Sequence, residues 1–177
     1  MKIKIKIKNT FFSENFSSGF TLIEFLIVIA LLSIAAAFFI PQYSDYSKRE
    51  VLKNAAQELM VHLQSARNKA LSGIQAADQI AVAYQVLYFS DYQATGIYAE
   101  YEDGSLNSSP LEQLTLPAVL QITWPADNPR FLVPTGKLSG SERTITVCYS
   151  GIGKHTITLS PTGLITLGDR EEAPSCP

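Results

Sequence analysis

One uninterrupted apolar run near the amino terminus constrains this chain more than any other feature. It extends from Phe20 to Ile40 and holds a single charged residue, Glu24. A helix over this run would be about 31 Å long, which matches the hydrocarbon core of a bilayer. No second run of this length occurs in the sequence, so a protein that crosses the membrane several times is excluded.

The charges around the run indicate how a membrane helix would be oriented. Lysines stand at positions 2, 4, 6 and 8 before it, whereas Lys48, Arg49 and Lys53 follow it. Basic residues in a short leading segment favour a cytoplasmic amino terminus, although the bias here is modest. We therefore expect one membrane pass, with the carboxy-terminal part of the chain outside the cytoplasm.

A conventional signal peptide is the alternative interpretation of this region. The run is longer than the usual apolar region of about 7–15 residues, and the small-residue processing site after it is Ala35-Ala36-Ala37. Cleavage before Phe38 would release a secreted β-domain binding protein. That alternative gives Glu24 no role, although a charge at the centre of a membrane helix costs roughly 2.5–3.5 kcal/mol.

Glu24 itself has two interpretations. Thr21 and Glu24 fit the capping box, in which a threonine and a glutamate three residues later bond the first N–H groups of a helix. A carboxylate in the first turn also meets the positive end of the helix dipole. The spacing alone leaves capping and a special function equally open.

The segment Gly19-Phe20-Thr21-Leu22-Ile23-Glu24-Phe25 and the apolar run after it resemble the start of type IV pilins and type II secretion pseudopilins. The resemblance implies that prepilin peptidase cuts after Gly19 and that the new amino terminus, Phe20, is N-methylated. It also implies that Glu24 supports assembly, because the N-terminal amine of a neighbouring subunit can pair with its carboxylate. Pro41 falls where the family often has a helix-bending proline.

The helical period continues after Pro41, which should kink the helix because it removes one backbone hydrogen bond. Leucine and alanine recur at steps of three and four residues, as on the buried face of an amphipathic helix. The predicted face comprises Leu52, Ala55, Ala56, Leu59, Leu63, Ala66 and Ala70. Ser72-Gly73 is a stop signal. We expect a helix over 20–72, with a transmembrane assembly half, 20–40, and an amphipathic half, 41–72.

Residues 73–177 predict a β-rich body. Apolar and polar residues alternate over 143–149 and again over 154–160, and glycine-containing turns separate these segments, which indicates an antiparallel meander or part of a small sandwich. Further strands are expected within 80–89, 96–101, 119–124 and 164–167. The fold class is therefore α+β, a long amino-terminal helix followed by a small antiparallel body, the lollipop shape of pilins.

Two further stretches resemble the FimT/GspH group of minor pilins and pseudopilins: the helix end at 63–70 and the order of segments between 131 and 163. Some FimT-like pilins bind DNA through arginine at the last turn. The corresponding Thr162-Gly163-Leu164 lacks arginine, and Arg170 stands among acidic residues. Because phosphate contacts need clustered cations and the net charge is −2, no nucleic-acid partner is expected.

The two cysteines, Cys148 and Cys176, favour a disulfide, since disulfides persist outside the cytoplasm. A buried free Cys148 with a mobile Cys176 is the alternative.

Motifs for catalysis are lacking in the sequence. His62 and His155 have no partners at zinc-site spacing, and neither a phosphate loop nor a nucleophile elbow occurs. We therefore expect that the protein is not an enzyme and that it binds no metal and no cofactor. Glu100, Glu102 and Asp103 could offer oxygens to calcium, but a solvated loop is the favoured interpretation.

Taken as a whole, the sequence predicts a minor pilin or pseudopilin with a cleaved basic leader, 1–19, a helix, 20–72, and a periplasmic body, 73–177. It would be anchored in the inner membrane and then assembled into a type II secretion pseudopilus, with a structural role in protein secretion. A minor subunit of a type IV pilus, acting in adhesion, motility or pilus priming, is the alternative. The expected partners are prepilin peptidase, other subunits bound through the helix, and the inner membrane.

Overall fold

The computed structural model describes residues 21–73 and 79–176, without the side chains of residues 37–42. The described residues form one long α-helix and nine β-strands, all of which pair antiparallel. The chain divides between Pro41 and Gln42 into two compact units, and the second unit contains all of the strands.

Helix α1 extends from Leu22 to Ser72, and its backbone remains helical through Pro41. The bend at Pro41 stays a prediction. Within the described residues, no helix has both the length and the apolar content that crossing a membrane requires. The predicted transmembrane half, 20–40, includes Phe20 and the side chains of 37–40, which lie outside the described part, so it also stays a prediction.

The second half of α1 is amphipathic, as the sequence predicts. All seven leucines and alanines of the predicted face are at most 2% exposed. Side chains three and four residues apart share one side of a helix, so these residues form a continuous stripe. The predicted end is also correct: the Ser72 hydroxyl donates to the Lys69 carbonyl at 3.0 Å, and Gly73 follows with a positive φ of 60°.

The first sheet has five strands, in the order β3-β2-β1-β5-β6. These strands are β1 (Ala83–Phe89), β2 (Ala94–Glu100), β3 (Glu112–Thr115), β5 (Arg130–Leu132) and β6 (Lys137–Leu138). A short 3-10 helix, Ser90–Tyr92, joins β1 to β2. The sequence indicated β1 and β2 but did not indicate β3, β5 and β6, which have only two to four residues.

The second sheet has four strands, in the order β4-β7-β8-β9. They are β4 (Gln121–Thr123), β7 (Arg143–Tyr149), β8 (Gly153–Leu159) and β9 (Ile165–Leu167). The run β7-β8-β9 is the predicted antiparallel meander. The fold is thus the expected α+β arrangement of an amino-terminal helix and antiparallel sheets.

Helix α1 and the two sheets share one hydrophobic core. The α1 stripe belongs to the same buried cluster as the inner faces of both sheets. The sheets contribute, among others, Tyr84, Val86, Ile97, Phe131, Ile145, Val147, Ile157 and Leu159, each of which is fully buried. Burying one such side chain stabilises the fold by about 1.5–3 kcal/mol, so the shared cluster dominates the stability of this unit.

The carboxy-terminal tail, residues 168–176, is fastened to the second sheet at two places. Cys148 on β7 and Cys176 form a disulfide with Cα atoms 5.7 Å apart, which confirms the favoured prediction. Lys154 on β8 exchanges two backbone hydrogen bonds with Glu171, of 2.9 and 3.0 Å, and their side chains form an ion pair of 3.0 Å. Cys148 is therefore buried although it lies on the opposite face of β7 from Ile145 and Val147.

Removal of the disulfide should destabilise the body. Replacing both Cys148 and Cys176 with serine frees the chain between them in the unfolded state, and a loop of this length corresponds to about 3–4 kcal/mol. We expect the free energy of unfolding, measured by urea denaturation of the full chain in mild detergent, to fall by that amount. The free energy of unfolding of the reduced wild-type protein should fall by the same amount. An unchanged value in both samples would contradict the expectation.

Two turns contact each other near the end of α1. One joins β5 to β6 and the other joins β8 to β9. Gly163 has a φ of 82°, and a Cβ there would collide with the carbonyl oxygen of Gly136. Gly136 has a φ of 61°, and a Cβ there would lie 2.7 Å from Cγ of Leu71. Glycine is thus required at both turns for space as well as for backbone conformation.

The pair Gly163→Ala and Gly104→Ala separates these two requirements. Gly104 has nearly the same φ, 80°, but nothing lies within 4 Å of the position of its Cβ. Gly104→Ala should cost about 1–2 kcal/mol from the left-handed backbone alone. Gly163→Ala should cost clearly more, because the contact with Gly136 must also open. Urea denaturation of both variants checks this, and equal losses would show that the contact is unimportant.

Candidate assembly site

The predicted site residues are described to different extents. Gly19 and Phe20 lie outside the described residues, so cleavage between them and methylation of Phe20 remain predictions. Pro41 is described by its backbone alone. Thr21 and Glu24 are described completely, and they lie at the first turn of α1.

Thr21 and Glu24 form the capping box that the sequence predicts. The Thr21 hydroxyl oxygen accepts from the Glu24 backbone N–H at 3.3 Å. Oε2 of Glu24 accepts from the Thr21 backbone N–H at 3.4 Å and from the Thr21 hydroxyl at 3.3 Å. These distances exceed the usual 2.9–3.0 Å, so the bonds are weak. A capping box also accepts glutamine at this position, so capping accounts for the oxygen atom but not for the negative charge.

The helix around Glu24 is apolar on every side. Residues 25–29 are five consecutive apolar residues, which is more than one full turn, and their side chains are 43–60% exposed. The exposed apolar side chains of this segment are Leu22, Ile23, Phe25, Leu26, Ile27, Val28, Ile29, Leu31, Leu32 and Ile34. A helix that is apolar all round needs lipid or other helices around it.

A polar cluster on the second half of α1 was not foreseen from the sequence. Oε2 of Glu112, on the edge strand β3, accepts from the Ser65 hydroxyl at 2.7 Å and lies 3.3 Å from Nζ of Lys69. Oε1 of Glu112 lies 3.6 Å from Nδ1 of His62. One carboxylate therefore ties β3 to three α1 side chains. Their spacing on one helix face was visible in the sequence, but the partner Glu112 was not.

The cluster shifts the pKa values of two of its members. Burial lowers the pKa of His62, because its side chain is only 3% exposed, and the carboxylate of Glu112 offsets part of this effect. Partial burial would raise the pKa of Glu112, but the hydrogen bonds from Ser65 and Lys69 outweigh it and lower that pKa. Nε2 of His62 is buried without a hydrogen-bond partner among the described residues, so a proton there has no acceptor.

The acidic stretch at the end of β2 is used within the fold. Glu100 accepts two hydrogen bonds from the Arg130 guanidinium. Oδ1 of Asp103 accepts from the backbone N–H and the hydroxyl of Ser105, at 2.9 and 2.6 Å, which lowers the pKa of Asp103. Glu102 is exposed. In residues 21–73 and 79–176, no three His, Cys, Asp or Glu side chains come together as metal ligands would.

We expect the body to lose stability as the pH falls below 6.5, the ordinary pKa of histidine. Because the folded state holds the pKa of His62 lower, the unfolded chain binds the extra proton first, and this favours unfolding. Above pH 6.5 the stability that is linked to the lowered pKa of His62 is fully present. The pKa of Glu112 is also lowered in the folded state, so its protonation reduces stability only at lower pH, below its ordinary pKa of 4.5. Urea midpoints measured between about pH 8 and pH 5 test this.

His62→Gln is the control for this pH dependence, because glutamine fills part of the same space and does not titrate. The variant should show a flatter decline of the urea midpoint over the same pH range. A decline as steep as that of the wild-type protein would mean that another group causes it.

Comparison with known proteins places the chain in a family. Residues 15–40 match the model of the prokaryotic N-terminal methylation motif. A fimbrial protein of Pseudomonas aeruginosa is 33% identical over 150 residues, which cover 81% of this chain and 88% of that protein.

Two solved structures share the fold. The type IV minor pilin FimU of Pseudomonas aeruginosa has 24% identity and a TM-score of 0.52, and the match covers 70% of this chain and 99% of FimU. The minor pseudopilin EpsH of Vibrio cholerae has 16% identity and a TM-score of 0.50, with 70% of this chain and 97% of EpsH covered. The methylation motif, the extended similarity to a fimbrial protein and the shared fold agree with the resemblance found in the sequence. The chain therefore belongs to the pilin family of fimbrial proteins.

Proposed function

We propose that this chain is a minor pilin or minor pseudopilin that is processed by prepilin peptidase and assembled into a filament. The observation that carries the proposal is the methylation motif over residues 15–40, within which the described start of α1, residues 22–36, is apolar except for Glu24 and Ser33 and exposed on all sides. The role is structural rather than enzymatic. Similarity in fold to both a minor pilin and a minor pseudopilin supports the class of subunit, for a type IV pilus or a type II secretion pseudopilus.

The proposed sequence of events follows from the chemistry of the amino-terminal segment. Residues 20–40 anchor the chain in the inner membrane, with the basic leader, 1–19, in the cytoplasm and the body, 73–177, in the periplasm. Prepilin peptidase cuts after Gly19, and the amine of Phe20 is methylated. The apolar surface then moves from lipid to the helices of other subunits, so it remains covered throughout.

Glu24 sets the position of the subunit in the filament. Its capping bonds use one carboxylate oxygen, Oε2, and do not need the charge. Among packed apolar helices an unpaired carboxylate is strongly unfavourable, by about 3–5 kcal/mol. The amine of Phe20 on a neighbouring subunit supplies the missing positive charge, and only one axial position of the two subunits brings the groups together.

Three variants separate the charge of Glu24 from its capping role. Glu24→Gln keeps a capping acceptor and loses the charge, Glu24→Ala loses both, and Thr21→Val keeps the charge but breaks the box. We expect both Glu24 variants to enter sheared filaments at least about tenfold less than wild type, because the amine of the neighbour is left unpaired. Thr21→Val should assemble, since losing an N-cap costs only about 1 kcal/mol.

Processing is measured in the same strains by the intact mass of the membrane-bound chain. Wild type and all three variants should begin at methylated Phe20, and this form should be lost without prepilin peptidase. Normal assembly of Glu24→Gln would show that a cap suffices and would refute the charge pairing. A mature chain that begins at Phe38, or an uncut chain unaffected by the peptidase, would refute the proposed function itself.

A further inference from the structure

Strand β3 leaves one edge of the first sheet without a neighbouring strand among the described residues. It is the last strand in the order β3-β2-β1-β5-β6 and, with four residues, the longest of the four edge strands. Edge strands of proteins are commonly protected by lysine, by proline or by being very short. Strand β3 contains neither lysine nor proline, whereas the opposite edge, β6, has two residues, one of which is Lys137. The edge of β3 is therefore open to a further strand.

The hydrogen bonds to β2 show which backbone groups of β3 point to this open edge. The Leu116 N–H donates to the Gln93 carbonyl at 2.7 Å, next to the register pair of Thr115 and Ala94. In an antiparallel ladder, hydrogen-bonded pairs alternate with pairs whose N–H and C=O groups face outward. Gln113 and Thr115 are thus the residues that present their N–H and C=O groups away from β2. Both residues are exposed.

Contacts with β2 and with α1 hold β3 in place. The start of the strand is fixed by a hydrogen bond of 2.8 Å from the Leu111 N–H to the Ile97 carbonyl. Glu112 ties the strand to α1 through the Ser65 hydroxyl, at 2.7 Å, and Nζ of Lys69, at 3.3 Å. The open edge is therefore formed before any partner arrives, which lowers the entropy that binding must overcome.

A cavity of about 420 Å³ lies between α1 and β3, beside the open edge. Its lining residues are Asn54, Gln57, Glu58, Val61 and His62 from α1 and Glu112, Gln113 and Leu114 from β3. Val61, which is 62% exposed, and Leu114 supply apolar surface. Glu58 is exposed and, in the described part of the chain, forms no ion pair. The cavity thus combines an apolar wall with a free carboxylate.

The charge around the open edge favours a cationic partner. Residues 70–129, which include β1, β2 and β3, contain seven acidic residues and no lysine or arginine. A lysine or arginine side chain in the cavity would be complementary in two ways. Its aliphatic stem would cover Val61 and Leu114, and its charged end would reach the carboxylate of Glu58.

We propose that the open edge of β3 binds an extended, cationic peptide segment of a partner protein. The segment adds a strand to the first sheet through the outward backbone groups of Gln113 and Thr115, and one of its lysine or arginine side chains enters the cavity beside Glu58. Pro110 and Pro117 flank the strand, so the paired stretch is short, about the four residues of β3. Pairing of the β3 edges of two copies is disfavoured, because both bring the same negative charge.

The test uses the full chain in dodecyl maltoside and the peptide acetyl-Val-Lys-Thr-Lys-Val-amide. Hydrogen exchange is followed by NMR at the backbone amides of β3. At about ten times the dissociation constant, we expect exchange about tenfold slower at the outward amides of Gln113 and Thr115. The amides of Glu112 and Leu114 already bond to β2 and should change less. The peptide acetyl-Val-Glu-Thr-Glu-Val-amide is the control for charge and should bind at least about tenfold more weakly.

Two pairs of variants locate the binding site. Gln113→Pro removes one outward N–H and leaves the bonds to β2 in place, which edge strands tolerate. It should weaken binding about fivefold, the effect of one hydrogen bond of about 1 kcal/mol. Gln113→Ala keeps the N–H and should bind as the wild type does. Glu58→Gln should weaken binding about threefold, whereas Glu172→Gln, which removes the same charge from the exposed tail, should not weaken it.

Other outcomes overturn the proposal. Equal binding of the acidic peptide would refute the charge complementarity. Unchanged exchange at Gln113 and Thr115, or unchanged affinity of Gln113→Pro and Glu58→Gln, would refute strand addition at this edge. Slowing at these amides that rises with protein concentration, without peptide, would show that a second copy occupies the edge. None of these measurements depends on processing or filament assembly, so failure of this proposal is distinguishable from failure of the proposed function.

Discussion

The packing of one face of α1 against both sheets is the interaction on which the second unit depends. The face consists of leucines and alanines, and these residues share one buried core with the inner faces of both sheets. The short strands have little stability of their own, because a few backbone hydrogen bonds do not offset the entropy of ordering them. Burial under α1 supplies the missing free energy. The turn contacts at Gly136 and Gly163, beside Leu71, occur where this shared packing ends.

Polar groups are placed where they constrain this packing. Glu112 joins the edge strand β3 to α1 through Ser65, Lys69 and His62, and the disulfide with the bridge at Lys154 fastens the tail to the second sheet. The first arrangement buries His62, and this burial lowers its pKa. Glu24, at the other end of α1, lies among apolar side chains, and within the described residues its polar contacts are the capping bonds with Thr21.

Much of the fold was predictable because it repeats at short range. The α1 face follows a period of three and four residues, β7 and β8 alternate over seven residues each, and Ser72-Gly73 has the chemistry of a helix end. Strands β3, β5 and β6 were not predicted, since their local sequences show no alternation of apolar and polar residues and they pair only where the folded core provides a neighbouring strand. The pairing of Cys148 with Cys176 was a choice between two alternatives in the sequence, and the folded tail decided it.

The amino-acid sequence by itself determined the amino-terminal motif, the helix with its two different halves, and the β-rich character of the body, because each depends on residues close together in the chain. Only the tertiary structure decided that Glu112 meets His62 and Lys69, that Gly163 needs space beside Gly136, and that Glu58 and Gln113 line one cavity. The members of these sets are separated by about 30 to 55 residues. Their proximity results from the order of strands in the sheets and from burial against α1, which no local pattern encodes.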